Sequence, residues 1–174
     1  MAETGDASFL IIDASPLISV LKIERFDLFS VLPGFPVCTE HVRADVQEDI
    51  QKARLDSLIS RAMIRELQIV DPVHHSDIND LVEKSFGYGE ASSMVLARFL
   101  SVPLVMDDKR AIKVAQKLKI QVLTMTDVVV ENIRQDVLTV SEADQLIADW
   151  RAVKDIPVTV QSFGKLFPPY KAVL

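Results

Sequence analysis

Acidic residues at the ends of apolar runs are the side chains of this chain best suited to chemistry. Asp13 ends the run FLIID, Glu90 follows the glycines of GYGE, and the pair Asp107 and Asp108 ends VPLVMDD. In a protein of alternating strands and helices, side chains at the carboxyl ends of the strands converge on one crevice. Convergent acids without His or Cys partners are typical ligands of hard divalent cations such as Mg²⁺ or Mn²⁺. The spacing therefore predicts a metal site made of oxygen ligands.

Two of these acids have no obvious structural role in the sequence. An aspartate at a strand-to-helix junction is usually a helix cap, but Ser15 and Pro16 already have the residue types of a cap and of a first helical position. Asp13 is then left at the strand end. Glu90 shares a helix face with Met94, which predicts that it turns inward, where an unpaired carboxylate is costly.

The other acids are more evenly balanced between structure and function. One of Asp107 and Asp108 is expected to cap the helix that starts with KRAIKVAQKL, and a cap needs only one aspartate. Asp45 stands at the margin of an apolar stripe, where a solvated boundary position is as good an interpretation as a ligand. Asp127 follows a threonine at the start of a helix, which is ordinary capping.

The elements that must position these acids follow from the apolar pattern. Short apolar runs alternate with helix-like segments, which predicts a parallel sheet with helices on its faces. The runs lie at 9–12, 35–38, 67–70, 102–106 and 121–124.

The helical segments are predicted from their periodicity and punctuation. A second helix is expected from about Thr39 past Ile50, with Val42, Val46 and Ile50 facing inward. A helix over 76–85 is expected after a loop that holds the two adjacent histidines at 74 and 75. Towards the C-terminus we predict a capping box from Ser141 to Asp144, and an appended strand or extended segment after Pro157.

Length and composition limit the class of protein. A chain of 174 residues with 49% hydrophobic residues is expected to form a single domain, 1–174, with a full core. The absence of long uncharged apolar stretches predicts no membrane span, and the single Cys38 excludes an internal disulfide, so we expect a cytoplasmic protein. A net charge of −6 speaks against a protein that coats nucleic acid, but it is compatible with a nuclease whose metal ions supply positive charge.

Four short motifs occur in an order that resembles a known family. They are Asp-x-Ser after the first strand, Val-x-x-Asp on the second helix, Gly-Glu-x-x-x-x-x-Leu-Ala, and Asp-Asp-Lys-Arg-Ala after a later strand. Over about residues 9–127 the chain resembles the PIN-domain metal-dependent ribonucleases, and within them the branch with GE and DD motifs related to VapC-type toxins. The resemblance implies a three-layer α/β/α fold around a parallel sheet of about five strands. It also implies a Mg²⁺ or Mn²⁺ site, endonucleolytic cleavage of RNA, and as partners an antitoxin protein and a second copy of the chain.

The resemblance also implies roles for individual residues. The spacing favours Asp108 over Asp107 as the direct ligand of the fourth position, and Ser15 corresponds to a small residue that would hold the first acid in place. At the second position the family usually has glutamate, so Asp45 would reach a metal through water. The implied acids are, in order, Asp13, Asp45, Glu90, the pair Asp107 and Asp108, and a further one at Asp127.

A basic strip follows the last pair of acids. It consists of Lys109, Arg110, Lys113, Lys117 and Lys119. The strip is either a solvated helix face or a contact for RNA phosphates.

Two other functions are compatible with the same residues. One is a catalytically idle PIN-like module that binds a partner through another surface. For this module, as for the ribonuclease, we expect a motif-bearing core over about 9–127 and a helical C-terminal extension over about 128–174. The other is a phosphatase that uses Asp13 as nucleophile, but that class normally has a second aspartate where Ser15 stands.

Overall fold

The computed structural model describes residues 8–167, and its centre is a five-stranded parallel sheet. The strand order is β3-β2-β1-β4-β5, so the chain first builds the sheet outward from β1 on one side and then crosses to the other side. The strands are β1 Phe9–Ile12, β2 Phe35–Thr39, β3 Arg65–Leu67, β4 Leu104–Val105 and β5 Val122–Leu123.

Helices cover both faces of this sheet, so the predicted three-layer α/β/α fold is confirmed. They are α1 Ala14–Lys22, α2 Glu40–Asp45, α3 Asp49–Ser60, α4 Pro72–Glu83, α5 Tyr88–Leu100, α6 Lys109–Lys117, α7 Met125–Arg134 and α8 Val140–Ala152, with short 3-10 helices at Phe26–Val31 and Phe163–Lys165. Among the residues described, no helix is long and apolar enough to cross a membrane.

The central strand shows why the sheet is buried on both sides. Leu10 and Ile12 of β1 belong to one apolar cluster, together with side chains of α1, α7 and α8. Ile11 points to the opposite face, into a second cluster with side chains of α4, α5 and α6. All three side chains are fully buried, as expected for a parallel strand between two helical layers.

The C-terminal helices are part of the first cluster. Trp150 of α8 is fully buried, and its indole Nε1 donates a hydrogen bond of 3.0 Å to the carbonyl oxygen of Ser19 in α1. Asp144 accepts hydrogen bonds from Ser162 Oγ and from the backbone N–H of Phe163, whose ring is also fully buried. The segment after α8 is thereby fixed against the domain.

The predicted second helix was wrong in its extent. The chain leaves the helix at Val46, and a new helix begins at Asp49. Val42 and Val46 are buried as predicted, but Ile50 is 68% exposed because it lies on the new helix with a different orientation. Asp45 consequently becomes the last residue of α2 instead of a mid-helix residue.

Two other boundaries also differ from the prediction. The third strand is shifted, since it occupies 65–67 and not 67–70. Helix α4 begins at Pro72 and not at residue 76, because Asp71 caps it: its Oδ1 accepts a hydrogen bond of 2.8 Å from the N–H of Val73. His74 and His75 therefore lie in a helix and not in a loop.

At the C-terminal end the predicted start of one helix was wrong, and one of two alternatives for the tail is excluded. The capping box of α8 is formed by Thr139 and Glu142, two residues before the predicted start. Of the two alternatives predicted after Pro157, the strand is wrong: up to Phe167 the chain is irregular apart from one turn of 3-10 helix at Phe163–Lys165. The part of this prediction beyond residue 167 lies outside the described residues.

Candidate functional site

The acids predicted from the sequence lie around the carboxyl ends of the two central strands. Strand β1 pairs with β2 on one side and with β4 on the other, so the direction of chain progression reverses between β1 and β4. Asp13 directly follows β1, and Asp107 follows β4 by two residues. In open parallel sheets the crevice outside such a reversal is where ligands bind.

Asp13 occupies the N-cap position of α1, but its side chain makes no cap hydrogen bond. The predicted cap was wrong, since the helix already begins at Ala14 and Ser15 is an exposed residue of its first turn. Asp13 itself is only 2% exposed, and its Oδ1 accepts a hydrogen bond of 3.3 Å from Ser93 Oγ. The carboxylate is therefore turned into the molecule, where it serves no helix.

The buried position of Asp13 changes its acidity. Burial is the main cause that raises the pKa of Asp13 to about 7, and the negative charges of Glu90 and Asp45 raise it further. The hydrogen bonds from the N–H of Ala14 and from Ser93 act in the opposite direction. The charges of Glu90 and Asp45 thus both act on Asp13.

Glu90 closes the beginning of α5. Its Oε2 accepts a hydrogen bond of 3.0 Å from the backbone N–H of Gly87, the N-cap residue. The side chain is half-buried, whereas Met94 one turn later is fully buried. Glu90 thus lies at the edge of the core, with a capping role in addition to its influence on Asp13.

Asp45 reaches the site through a close approach of two helices. Any Cβ at Gly89 in the first turn of α5 would overlap with Asp45 Oδ2, and it would lie 3.7 Å from Cα of Val42. Gly89 therefore leaves the space that the Asp45 carboxylate occupies against α5, whereas the distance to the Val42 backbone is an ordinary van der Waals contact. Partial burial raises the pKa of Asp45, and the neighbouring charge of His41 opposes this shift.

The adjacent acids Asp107 and Asp108 have different surroundings. Asp108 is exposed and caps α6, since its Oδ1 accepts hydrogen bonds of 2.9 and 2.7 Å from the N–H groups of Arg110 and Ala111. Asp107 is half-buried, and its Oδ1 accepts a hydrogen bond of 2.9 Å from the N–H of Met125. Its second oxygen, Oδ2, is buried without a hydrogen-bond partner.

The electrostatic surroundings of Asp107 also differ from those of Asp13. Burial is the first cause that raises the pKa of Asp107 to about 6, followed by the charges of Asp155 and Asp127. Asp127 is exposed and forms a capping box with Thr124 at the start of α7. This geometry is the ordinary capping expected from the sequence.

The donor set suits a hard cation, although the side chains do not form a closed ligand shell. Within residues 8–167 no Lys, Arg or His forms an ion pair with Asp13, Asp45, Glu90 or Asp107. In the same range no three His, Cys, Asp or Glu side chains are grouped as metal ligands. The unpaired oxygen of Asp107 and the oxygen-only chemistry fit Mg²⁺ or Mn²⁺, which are bound through one or two carboxylates and several waters.

The basic strip on α6 divides into two parts. Lys109, Lys113 and Lys117 are exposed. Arg110 instead lies with its guanidinium carbon 4.4 Å from the centre of the Phe86 ring, and it donates hydrogen bonds to backbone carbonyls of the turn between α4 and α5. Arg110 therefore has a structural role that the sequence analysis missed.

Ser93 is the site residue that the sequence analysis did not find. The resemblance assigned Ser15 to hold the first acid, but in the structure the hydrogen bond to Asp13 comes from the buried Ser93. Ser93 stands three residues after Glu90, which places both on one side of α5. This spacing of three residues from Glu90 was the sequence feature that could have indicated Ser93 as a site residue.

Comparison with known families agrees with this geometry. A family model described as a PIN domain matches residues 9–154, which is most of the chain. The chain therefore belongs to the PIN-domain family, whose members are typically nucleases that use divalent metals. No curated protein matches the sequence.

Proposed function

We propose that this PIN-domain protein is an endoribonuclease that depends on Mg²⁺ or Mn²⁺. The observation that supports this most directly is Asp13, a buried carboxylate at the end of the central strand with two acidic neighbours. An unpaired buried charge is unfavourable unless a cation meets it. A structural aspartate would be expected to have an Arg or Lys partner, and no such ion pair is found in residues 8–167.

The residues proposed to hold the metal come from several elements. Asp13 and Asp107 would contribute from the ends of β1 and β4, and Glu90 and Asp45 from α5 and α2. Asp108 was favoured by spacing, but its Oδ1 is engaged in the cap of α6, so we prefer Asp107 with its unpartnered Oδ2. Asp127, next to Asp107, would act as an outer acid.

The chemistry follows from these positions. A bound divalent cation supplies an activated water and stabilises the negative charge of the phosphodiester. Asp13 would offer its carboxylate oxygens to the cation in a fixed orientation, because this side chain is buried and accepts a hydrogen bond from Ser93. Asp45, exposed and with a raised pKa, is suited to accept a proton from the attacking water.

The biological setting is proposed from the motifs alone. The GE and DD motifs resemble VapC-type toxins, so we propose that the protein is the toxin of a toxin–antitoxin pair in the cytoplasm. An antitoxin protein and a second copy of the chain would then be its partners. Lys113 and Lys117 on α6 are proposed to contact RNA phosphates.

A catalytically idle binding module is the second candidate. The observation that favours it is the absence, among residues 8–167, of a preformed group of three metal-ligating side chains. Glu90 and Asp108 are also both used as helix caps. Such a module would bind RNA or protein without metal-dependent cleavage.

The test combines cleavage with stability in the same variants. Purified protein is incubated with single-stranded and structured RNA in Mg²⁺, in Mn²⁺ and in chelator, and Asp13→Asn and Glu90→Gln are treated in the same way. We expect metal-dependent cleavage that both substitutions abolish. Asp13→Asn should leave the metal-free stability unchanged or raised, because it removes like-charge repulsion.

Metal binding gives a readout that is independent of cleavage. Mn²⁺ should raise the thermal midpoint of the unmodified protein by mass action, and much less that of Asp13→Asn. Cleavage that persists in chelator in a contaminant-free sample contradicts the metal mechanism. Metal stabilisation without cleavage of any RNA favours the idle module.

A further inference from the structure

Two aromatic side chains form a pair at the beginning of α5. Tyr88 is the first residue of this helix, and its ring centre lies 5.5 Å from that of His41 on α2, with an angle of 34° between the rings. The His41 side chain is 28% exposed, whereas Tyr88 is 52% exposed. His41 therefore supports a tyrosine ring that remains open to solvent.

The pair lies at the rim of the acidic site. Tyr88 immediately precedes Gly89, against which the Asp45 carboxylate packs, and stands two residues before Glu90. His41 is one helical turn before Asp45, and its charge acts on the pKa of that aspartate. An exposed aromatic ring is thus held next to Asp45 and Glu90, the two acids whose charges act on Asp13.

Exposure alone does not distinguish Tyr88, since singly exposed apolar side chains are common. Phe99 at the other end of α5 is 63% exposed and packs on His74, with ring centres 4.3 Å apart. The two aromatic pairs have similar construction, but eleven residues of helix separate them by about 16 Å. Only the pair at Tyr88 adjoins the acids.

The chemistry of the rim favours a neutral, planar ligand group. When no cation is bound the carboxylates repel phosphates, so a contact that does not depend on the charge of the nucleic acid is favoured at this rim. Stacking of bases on aromatic rings is such a contact, and it tolerates different sequences because every base has a π-face. Bases inside a double helix are not accessible for stacking of this kind, whereas unpaired bases are.

We propose that Tyr88, supported by His41, stacks with an unpaired base of RNA next to the phosphodiester in the acidic site. This rests on the proposed ribonuclease function for the identity of the ligand. Tyr88 acts as a positioning residue, and it makes the protein prefer single-stranded over double-stranded substrates.

The test measures stacking separately from cleavage. A short single-stranded RNA that contains 2-aminopurine is titrated into the unmodified protein in chelator, and into Asp13→Asn in Mg²⁺, because stacking quenches the fluorescence of this base. The variants are Tyr88→Ala, Tyr88→Phe, and Phe99→Ala as the matched control. A duplex of the same sequence is titrated in parallel.

We expect quenching and equal affinity for the unmodified chain, Tyr88→Phe and Phe99→Ala. Tyr88→Ala should lose the quenching and bind about five- to 150-fold more weakly. In cleavage assays with Mg²⁺, Tyr88→Ala should raise KM for single strands much more than it lowers kcat. The duplex should show weaker binding and no quenching.

The outcomes separate this proposal from the proposed function. Cleavage with Tyr88→Ala indistinguishable from the unmodified chain overturns the stacking contact and leaves the ribonuclease function intact. Quenching that depends on Tyr88 without any cleavage supports the stacking contact and contradicts the ribonuclease. Failure to bind single-stranded RNA under both conditions overturns the stacking proposal, and so does an equal loss in Phe99→Ala.

Discussion

At the scale of single residues, Asp13 is a buried carboxyl whose charged form destabilises the metal-free fold but would bind a cation. Burial and two acidic neighbours raise its pKa to about 7, so near neutral pH the carboxyl is close to half protonated when no cation is bound. A cation that favours the charged form would lower this pKa. The same residue therefore links metal binding, proton binding and stability.

We expect the stability of the metal-free protein to fall as the pH rises from about 4 to about 7. The folded state holds the Asp13 proton up to about pH 7, whereas the unfolded chain releases it near 3.8, so folding takes up a proton within this window. The decrease approaches about 1.4 kcal/mol per pH unit at most, and Asp107, with a pKa of about 6, adds to it below pH 6. Urea unfolding in chelator at several pH values measures the slope.

The substitution Asp13→Asn supplies the control for this pH dependence. The variant should show a clearly smaller decrease of stability between pH 4 and 7. An unchanged slope would show that other groups dominate the titration.

Ser93→Ala should lower the cleavage rate of the folded protein, and it should also lower the free energy of unfolding. Loss of the hydrogen bond of 3.3 Å to Asp13 removes an interaction that lowers the pKa of the carboxyl, so the charged form is favoured less. The loss of one such buried bond is expected to cost about 1 to 2 kcal/mol. Cleavage rates against pH and urea unfolding measure the two effects. The exposed Ser15→Ala is the matched control, and equal effects of the two substitutions contradict the role of Ser93.

At the scale of elements, the first turn of α5 brings α2 to the site. Gly87 provides the N-cap, Gly89 permits the close approach of Asp45, and Glu90 closes the turn on the N–H of Gly87. The two glycines thus have different roles despite their similar positions in the sequence. Their roles can be separated by adding one methyl group at each.

Gly89→Ala should impair cleavage by displacing Asp45 while changing stability by no more than about 1 kcal/mol. The new Cβ would overlap with the end of a flexible side chain, which can rotate away, and alanine favours the helix by about 1 kcal/mol over glycine. Gly87→Ala is the control, because its Cβ would come no closer than 3.8 Å to Glu90 Oε2. Cleavage assays and thermal unfolding of both variants measure the two effects. Full activity in Gly89→Ala would exclude Asp45 from the site.

Helix α6 provides a test of the basic strip. Lys113→Ala with Lys117→Ala should weaken RNA binding and reduce the slope of log affinity against log salt by about 0.7 for each lost phosphate contact. Arg61→Ala at the end of α3 is a control with a similar exposed charge. Binding titrations at several salt concentrations give the slopes. A slope that does not change would make this face an ordinary solvated surface.

At the scale of the whole molecule, the C-terminal helices complete the core on one face of the sheet. Trp150, Phe163 and Ile147 are buried against the same cluster as β1 and α1. The hydrogen bond from Trp150 to Ser19 joins the last helix to the first. Because α1 follows Asp13 directly, the C-terminal part supports the element that positions the central acid.

Trp150→Ala should destabilise the protein by about 3 to 5 kcal/mol, as is usual for removal of a large buried aromatic side chain. Trp150→Phe should cost less, because a six-membered ring still fills much of the space, although part of the indole volume and the hydrogen bond to Ser19 are lost. Urea unfolding in chelator measures both. Stability of Trp150→Ala close to that of the unmodified chain would show that α8 is dispensable for the core.

The sequence was sufficient for the features that depend on local pattern. Apolar runs alternating with helical segments predicted the parallel sheet and its two helical layers, because a strand buried on both faces must be apolar throughout. The order of the acids, from Asp13 to the pair at 107 and 108, led to the PIN-domain family that the family match shows. Helix boundaries were predicted less well. Val42, Val46 and Ile50 continue a helical period across the break after Asp45, so the sequence pattern indicates one helix where the structure has two.

Tertiary structure decided which side chains meet and which of several equivalent residues takes a given role. Ser93 and Ser15 are both small hydroxyl residues near an acid, but only the packing of α5 on β1 places Ser93 against Asp13. Asp107 and Asp108 are chemically identical, and the approach of α7 to β4 gives Asp107 the buried, half-satisfied position. These assignments depend on contacts between residues far apart in the chain, which a local pattern of residue types does not contain.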